Sequence, residues 1–249
     1  MNKQTFITCL RGFVIPVLAL VAVAGQAQTE GPQRERQNWA VGGVLMLLAP
    51  EPDYYDKKLE RYNPPVPMVW FGPAWLNDDQ HGKFHFRSGV FNKIDGGFTI
   101  LQISRNLYRG AIGVSASLQF GGSTYTTSRN YSFEKDGHRV EFVPADDEHK
   151  KDDLFFAMLR IPLMIGAQTN NRLFSLQTGV GLYQTSRTGA QWLVTAGLGP
   201  VTLNYSRHLT PLFKVSDGTK AYPSSFTIGI DVWYWLCRFT HRKKDGAID

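Results

Sequence analysis

Period-two alternation of apolar and polar residues recurs along the later part of this chain, and each stretch predicts a β-strand with two unlike faces. In Ala111 to Gly122, Ile112, Val114, Ala116, Leu118 and Phe120 share one face, opposed by Gly113, Ser115, Ser117, Gln119 and Gly121. Leu173 to Tyr183 sets Phe174, Leu176, Val180 and Leu182 against Ser175, Gln177, Gly179 and Gly181, with Thr178 the one polar residue on the apolar face. Gln191 to Gly199 presents Trp192, Val194, Ala196 and Leu198, and Val201 to Arg207 presents Val201, Leu203 and Tyr205. A last strand aligns Phe226, Ile228, Ile230, Val232 and Tyr234 against Thr227, Gly229 and Asp231. Leu154 to Gln168 fits a single register, with Phe155, Ala157, Leu159, Ile161, Leu163, Ile165 and Ala167 on one side and Arg160, Gly166 and Gln168 on the other.

The second face decides between architectures. A soluble sandwich or a secreted ligand-binding barrel also alternates, but its solvent face carries many Lys, Glu, Arg and Thr. Here the second faces are mostly Gly, Ser, Thr and Gln, which suit the narrow interior of a membrane barrel whose outer wall must satisfy lipid. The expectation is an all-β fold, a closed antiparallel transmembrane up-and-down β-barrel. Connection lengths agree with it, because such barrels have short periplasmic turns and long outer loops. Asn106 to Arg109, Thr169 to Arg172 and Gly199-Pro200 fall at one end. Ser123 to Asp153, Gln184 to Gly189 and Leu209 to Ser224 fall at the other. Front-end candidates are Trp39 to Leu48, Val66 to Leu76, Phe84 to Asn92 and Phe98 to Ser104, interrupted by the proline-rich stretch Pro50 to Pro67. Using all of them gives ten strands; dropping one hairpin gives eight, the preferred count.

The ends of the chain bring in targeting. Lys3 and Arg11 precede an uncharged apolar run, Gly12 to Ala24, and Gly25 and Ala27 are small residues before a cut at Gln28, the pattern of an export signal over residues 1–27. Residues 28–38 form a polar, unpatterned flexible lead, 39–236 the barrel, and 237–249 a basic periplasmic tail. The chain has 249 residues, 43% hydrophobic and 19% charged, too polar for a helical membrane bundle and too apolar for disorder. The formal charge of +6 falls by two if Lys3 and Arg11 leave, too weak an excess to argue for nucleic acid. Two cysteines, one of them in the signal, exclude a disulfide framework.

Arg160-Ile-Pro-Leu-Met-Ile-Gly-Ala-Gln-Thr, then Arg172-Leu-Phe-Ser-Leu-Gln-Thr-Gly-Val, Leu209-Thr-Pro-Leu-Phe and Tyr222-Pro-Ser-Ser-Phe-Thr-Ile-Gly-Ile resemble the PorT-like outer-membrane β-barrel family of Bacteroidota. The likeness runs from about Gly110 to Trp235 and rests on strands and turns rather than a catalytic motif. It implies an outer-membrane location and a role near type IX secretion or envelope maintenance. Barrels of this kind commonly finish on an aromatic residue, whereas Leu236 to Asp249 runs on here.

Chemistry-bearing motifs are scarce. No phosphate-cradling glycine loop, metal-spaced His pair or nucleophile elbow is present, so neither cofactor nor metal is expected. Asp146 to Asp153 is acidic but mixes in Lys and lacks calcium-loop spacing, and reads as a solvated outer loop. Arg160 and Asp231 fall on interior faces, and a narrow lumen must pair its charges, so they are read as a lumenal ion pair. Ser206 and His208, two apart at the upper end of a strand, share a face. They are the one nucleophile and base candidate, for a barrel-wall lipid hydrolase of the lipid A deacylase kind, with no orienting acid identified. The main expectation is a non-catalytic outer-membrane barrel, structural, adhesion-like or associated with secretion or assembly. Its partners would be outer-membrane lipid, lipopolysaccharide and envelope proteins.

Overall fold

The alternation is realised as strands whose two faces meet different surroundings. The computed structural model describes residues 39–44, 62–76, 84–87, 93–128, 130–136, 139–144, 152–169, 173–215 and 217–232. The expected signal peptide, flexible lead and basic tail, with Trp233, Trp235 and Cys237, lie outside them. The strands in chain order are β1 (Trp39–Gly42), β2 (Val69–Leu76), β3 (Lys93–Tyr108), β4 (Ile112–Thr126), β5 (Tyr131–Asp136), β6 (Arg139–Pro144), β7 (Asp153–Gln168), β8 (Phe174–Gln184), β9 (Thr188–Leu198), β10 (Val201–His208), β11 (Phe213–Val215), β12 (Lys220–Ala221) and β13 (Pro223–Ile230).

Eight of them close into a ring of antiparallel neighbours, β3-β2-β13-β10-β9-β8-β7-β4, with β4 pairing back onto β3. A closed ring leaves no edge with unpaired backbone groups. Turns at Arg109-Gly110, at Gly199-Pro200 and between β7 and β8 gather at one end. The connections between β4 and β7, β8 and β9, and β10 and β13 gather at the other, as the connection lengths require. At this long-loop end β12, β11, β6 and β5 form a second, four-stranded sheet.

The front end resolves to eight staves. Val66 to Leu76 supplies β2 and Phe98 to Ser104 lies within β3. The described part of Trp39 to Leu48, residues 39–44, contains the four-residue β1, and the described part of Phe84 to Asn92 makes one bridge, Phe86 to Thr127. The 16-residue β3 outruns the 8-residue β2. Phe98 back to Ile94 pairs with β2, and Gln102 to Arg105 pairs with β1, so two separate pieces of chain complete one flank of β3.

The chain between those pieces enters the barrel. Tyr62 to Met68 is buried throughout and lies in the lumen near the short-turn end, against glycines on four staves. A Cβ on Gly113 would strike the Tyr62 ring, one on Gly166 would come within 2.6 Å of its hydroxyl, one on Gly197 would strike Pro65, and one on Gly229 would lie 2.7 Å from Pro67 Cβ. The glycine-rich interior is therefore a socket, and Tyr62-Asn-Pro-Pro-Val-Pro-Met68 is the plug that fills it. Proline suits this place because it brings no N–H into a closed space. Three of the four other amides are met: Asn63 N–H donates to Gln168 Oε1 at 3.0 Å, Val66 N–H to Asp231 Oδ2 at 3.0 Å, and Met68 N–H to Ile230 O at 3.1 Å. Thr99 donates its hydroxyl to Pro67 O and its amide to Met68 O.

The opposite end is sealed by apolar packing. Tyr125, Leu154, Phe156, Met158 and Tyr183 point inward from the staves and meet Phe213 of β11, Val140 of β6, and Phe84 and Phe86. Phe156 and Phe213 stack at 5.2 Å, and Phe86 packs on Tyr125 at 5.4 Å. Lys135 of β5 sets its ammonium 4.2 Å from the centre of the Phe156 ring, and burial lowers its pKa. The apolar upper inner face of β7, Leu154, Phe156 and Met158, is thus the floor of a lid rather than a lipid contact.

If the glycine socket seats the plug, Gly229→Ala should destabilise the barrel by about 1–3 kcal/mol through overpacking against Pro67. Denaturant unfolding in detergent, followed by tryptophan fluorescence, measures this; an unchanged midpoint would show that the plug does not bear on that stave.

Candidate functional site

Between plug and lid the lumen is polar, and its charges converge on one carboxylate. Asp95, near the start of β3, receives Arg160 Nη2 on Oδ1 at 2.5 Å, with the two side chains 3% and 4% exposed. Ser123 donates to the same oxygen at 3.3 Å, and Ser225 donates to Oδ2 at 2.8 Å. Arg160 also lies over the Trp70 ring, 5.7 Å from its centroid. Trp70 has room because Gly97 and Gly121 stand opposite; a Cβ on Gly97 would come within 2.7 Å of the indole. Amide and hydroxyl pairs fill the rest: Ser115 donates to Gln177 at 2.9 Å and Thr195 to Asn204 at 3.0 Å. Beside Asp95 and Arg160 a cavity of about 40 Å³ remains, room for a few water molecules.

Arg160 and Asp231 are both lumenal and buried, as expected, but they do not form the expected pair with each other. Asp231 lies at the short-turn end, where it accepts the Val66 amide of the plug, whereas Arg160 sits at mid-height and takes Asp95. Both carboxylates serve the same need, acceptors for buried N–H and O–H donors, at two levels of the tube.

Ser206 and His208 share the lumen face and are 5% and 4% exposed. They are not joined. Ser225 has one proton and gives it to Asp95, so in the 2.7 Å contact between Ser206 Oγ and Ser225 Oγ it is Ser206 that donates. The hydroxyl proton is directed away from the imidazole. His208 instead packs its ring against Tyr183 at 4.6 Å, with Nδ1 lacking a hydrogen-bond partner. Nucleophile activation needs a serine to base contact, and this arrangement has none.

The outer wall carries the complementary pattern. Phe71, Leu163, Leu176 and Ile228 are each more than half exposed, and the outward faces of β4, β7, β8, β9, β10 and β13 continue the apolar rows. Thr178, the polar residue on the outer face of β8, is satisfied there. Trp192 Nε1–H donates to its hydroxyl at 3.0 Å, and the hydroxyl donates to Leu193 O at 3.2 Å. Towards the long-loop end, Trp75, Tyr205 and Trp192 form an aromatic row across the wall, with ring centroids 6.3 and 5.8 Å apart.

Removing Asp95 should cost more than its hydrogen bonds. Asp95→Ala strands Arg160 in the lumen and is expected to destabilise by about 3–5 kcal/mol, whereas the double variant Asp95→Ala/Arg160→Met should regain most of that loss. Equilibrium unfolding of the four proteins of this cycle decides it; equal losses for the single and double variants would deny the coupling. Compared with known protein families, characterised proteins and solved structures, the chain matches none.

Proposed function

We propose that this chain is an integral outer-membrane β-barrel of a Gram-negative bacterium, with a structural, adhesion-like or secretion- and assembly-associated role. The observation that carries this reading is the division of residues between the two sides of the wall. Large apolar side chains stand exposed around the outside, while hydroxyls, amides and glycines line the inside. Soluble monomers rarely expose apolar patches beyond a few hundred Å². From Phe174 to Leu182 the row on β8 runs roughly 26 Å at about 3.3 Å per residue. At a tilt of about 40° this is about 20 Å of height, near the ~25 Å apolar band of outer-membrane barrels. The Trp75, Tyr205 and Trp192 row supplies the girdle such a band carries at its rim. In this placement the short turns face the periplasm and the four-stranded sheet faces outward.

A role outside transport follows from the filled interior. Plug, ion-pair network and aromatic lid occupy successive levels, so the molecule offers its surfaces, not a passage. The resemblance to the PorT-like family favours a place in secretion or envelope assembly, with lipopolysaccharide and envelope proteins as partners. A lipid hydrolase built on Ser206 and His208 has no dyad contact to stand on.

The reading predicts that the protein fractionates with outer membranes, leaves them only in detergent, and migrates faster unboiled than boiled on detergent gels. Recovery in the aqueous fraction, or identical mobility with and without heating, would overturn it.

A further inference from the structure

Among the described residues of the outer wall, Arg207 is a cation whose position the barrel itself does not explain. Arg207 ends the outward row Val201, Leu203, Tyr205 on β10 and is exposed beside the aromatic row. Its strand neighbours are Trp192 on β9 and Ser224 on β13, and Ser224 in turn faces Trp75 of β2. With Trp192, Leu209 and Tyr222 it lines an open depression of about 380 Å³. Among the described residues no acid pairs with Arg207. The contrast with Arg160, locked onto Asp95 inside, is direct: one arginine is neutralised by the fold and the other is left for something outside it.

We infer that Arg207 and its aromatic surround bind the phosphorylated headgroup of a lipid packed against the barrel. The inference rests on the membrane reading above and adds a specific lipid contact to it. A guanidinium presents a planar fork that takes two phosphate oxygens at once. At the edge of an apolar band a long cationic side chain reaches to the headgroup level, and the anion available there is a lipid phosphate. The side chains around it fit the rest of such a molecule. Trp192, Trp75 and Tyr205 have amphipathic rings suited to the headgroup level, and Leu203 and Val201 continue downward as a surface for an acyl chain.

The test uses the full-length folded protein in detergent, heat-modifiable mobility serving as proof of folding. Lipid retained on the protein is measured by native mass spectrometry after incubation with a phosphorylated glycolipid, phosphatidylglycerol or phosphatidylcholine, with inorganic phosphate as competitor. Wild type should retain the two anionic lipids over the zwitterionic one. Arg207→Gln should retain them roughly tenfold less, and Arg207→Lys, which keeps the charge without the fork, should fall between. Equal retention by wild type and Arg207→Gln would overturn the inference, as would displacement of lipid by inorganic phosphate at equal concentration. Both of those results leave the membrane reading intact, whereas a protein that never requires detergent ends both.

Discussion

Filling a tube of eight strands is the constraint on which the rest of this structure depends. Such a ring encloses a space only just wide enough for side chains, so inward groups must be accommodated by what lies within reach of the opposite wall. The chain meets this in three ways at three heights. Near the short turns it inserts a segment poor in N–H groups; at mid-height it gathers one carboxylate, one guanidinium and several hydroxyls; near the long loops it abandons polarity and packs aromatic rings. Each solution fixes which residues the staves can carry. Glycines oppose the plug, serines and glutamines surround Asp95 and Arg160, and Leu154, Phe156 and Met158 turn inward on β7 only where the lid descends to meet them.

Much of the barrel was legible because outward-facing and lumen-facing residues differ so sharply in kind. The registers of β4, β7, β8, β9, β10 and β13 follow directly from alternation, and the sorting of short turns from long loops follows from strand parity. The front end was harder. Asp95-Gly96-Gly97 has the composition of a turn, yet it lies inside β3, because glycine there admits Trp70 and the Asp95 side chain is wanted inside. That misleading local signal hid the true partner of Arg160 and left Asp231 as the visible acid on an inner face. The plug was hidden for a related reason. Prolines at 64, 65 and 67 break strand periodicity and read as a connector, although their lack of donors is what fits them for a closed interior.

Ser206 and His208 illustrate how far spacing alone carries a site. Parity placed both correctly on one face, but the direction of a hydroxyl proton depends on competing acceptors, and Ser225 with Asp95 lies on strands remote in sequence. The outer wall was more transparent, down to Thr178, an apparent flaw in the apolar face whose hydroxyl is taken up by the indole of Trp192. Arg207 gave no comparable warning, since at the end of an alternating strand a lone arginine looks like ordinary surface.

The plug also constrains the order in which the molecule can be assembled. Tyr62 to Met68 is continuous with β2, yet it is held by Gln168 and by Asp231, which follows the last stave. Its two side-chain acceptors lie 105 and 165 residues further along the chain, so the segment cannot be seated until the strands that carry them are in place. Val66 to Asp231 and Met68 to Ile230 then staple the β2–β13 seam from its inner side, and the wall and its filling hold each other.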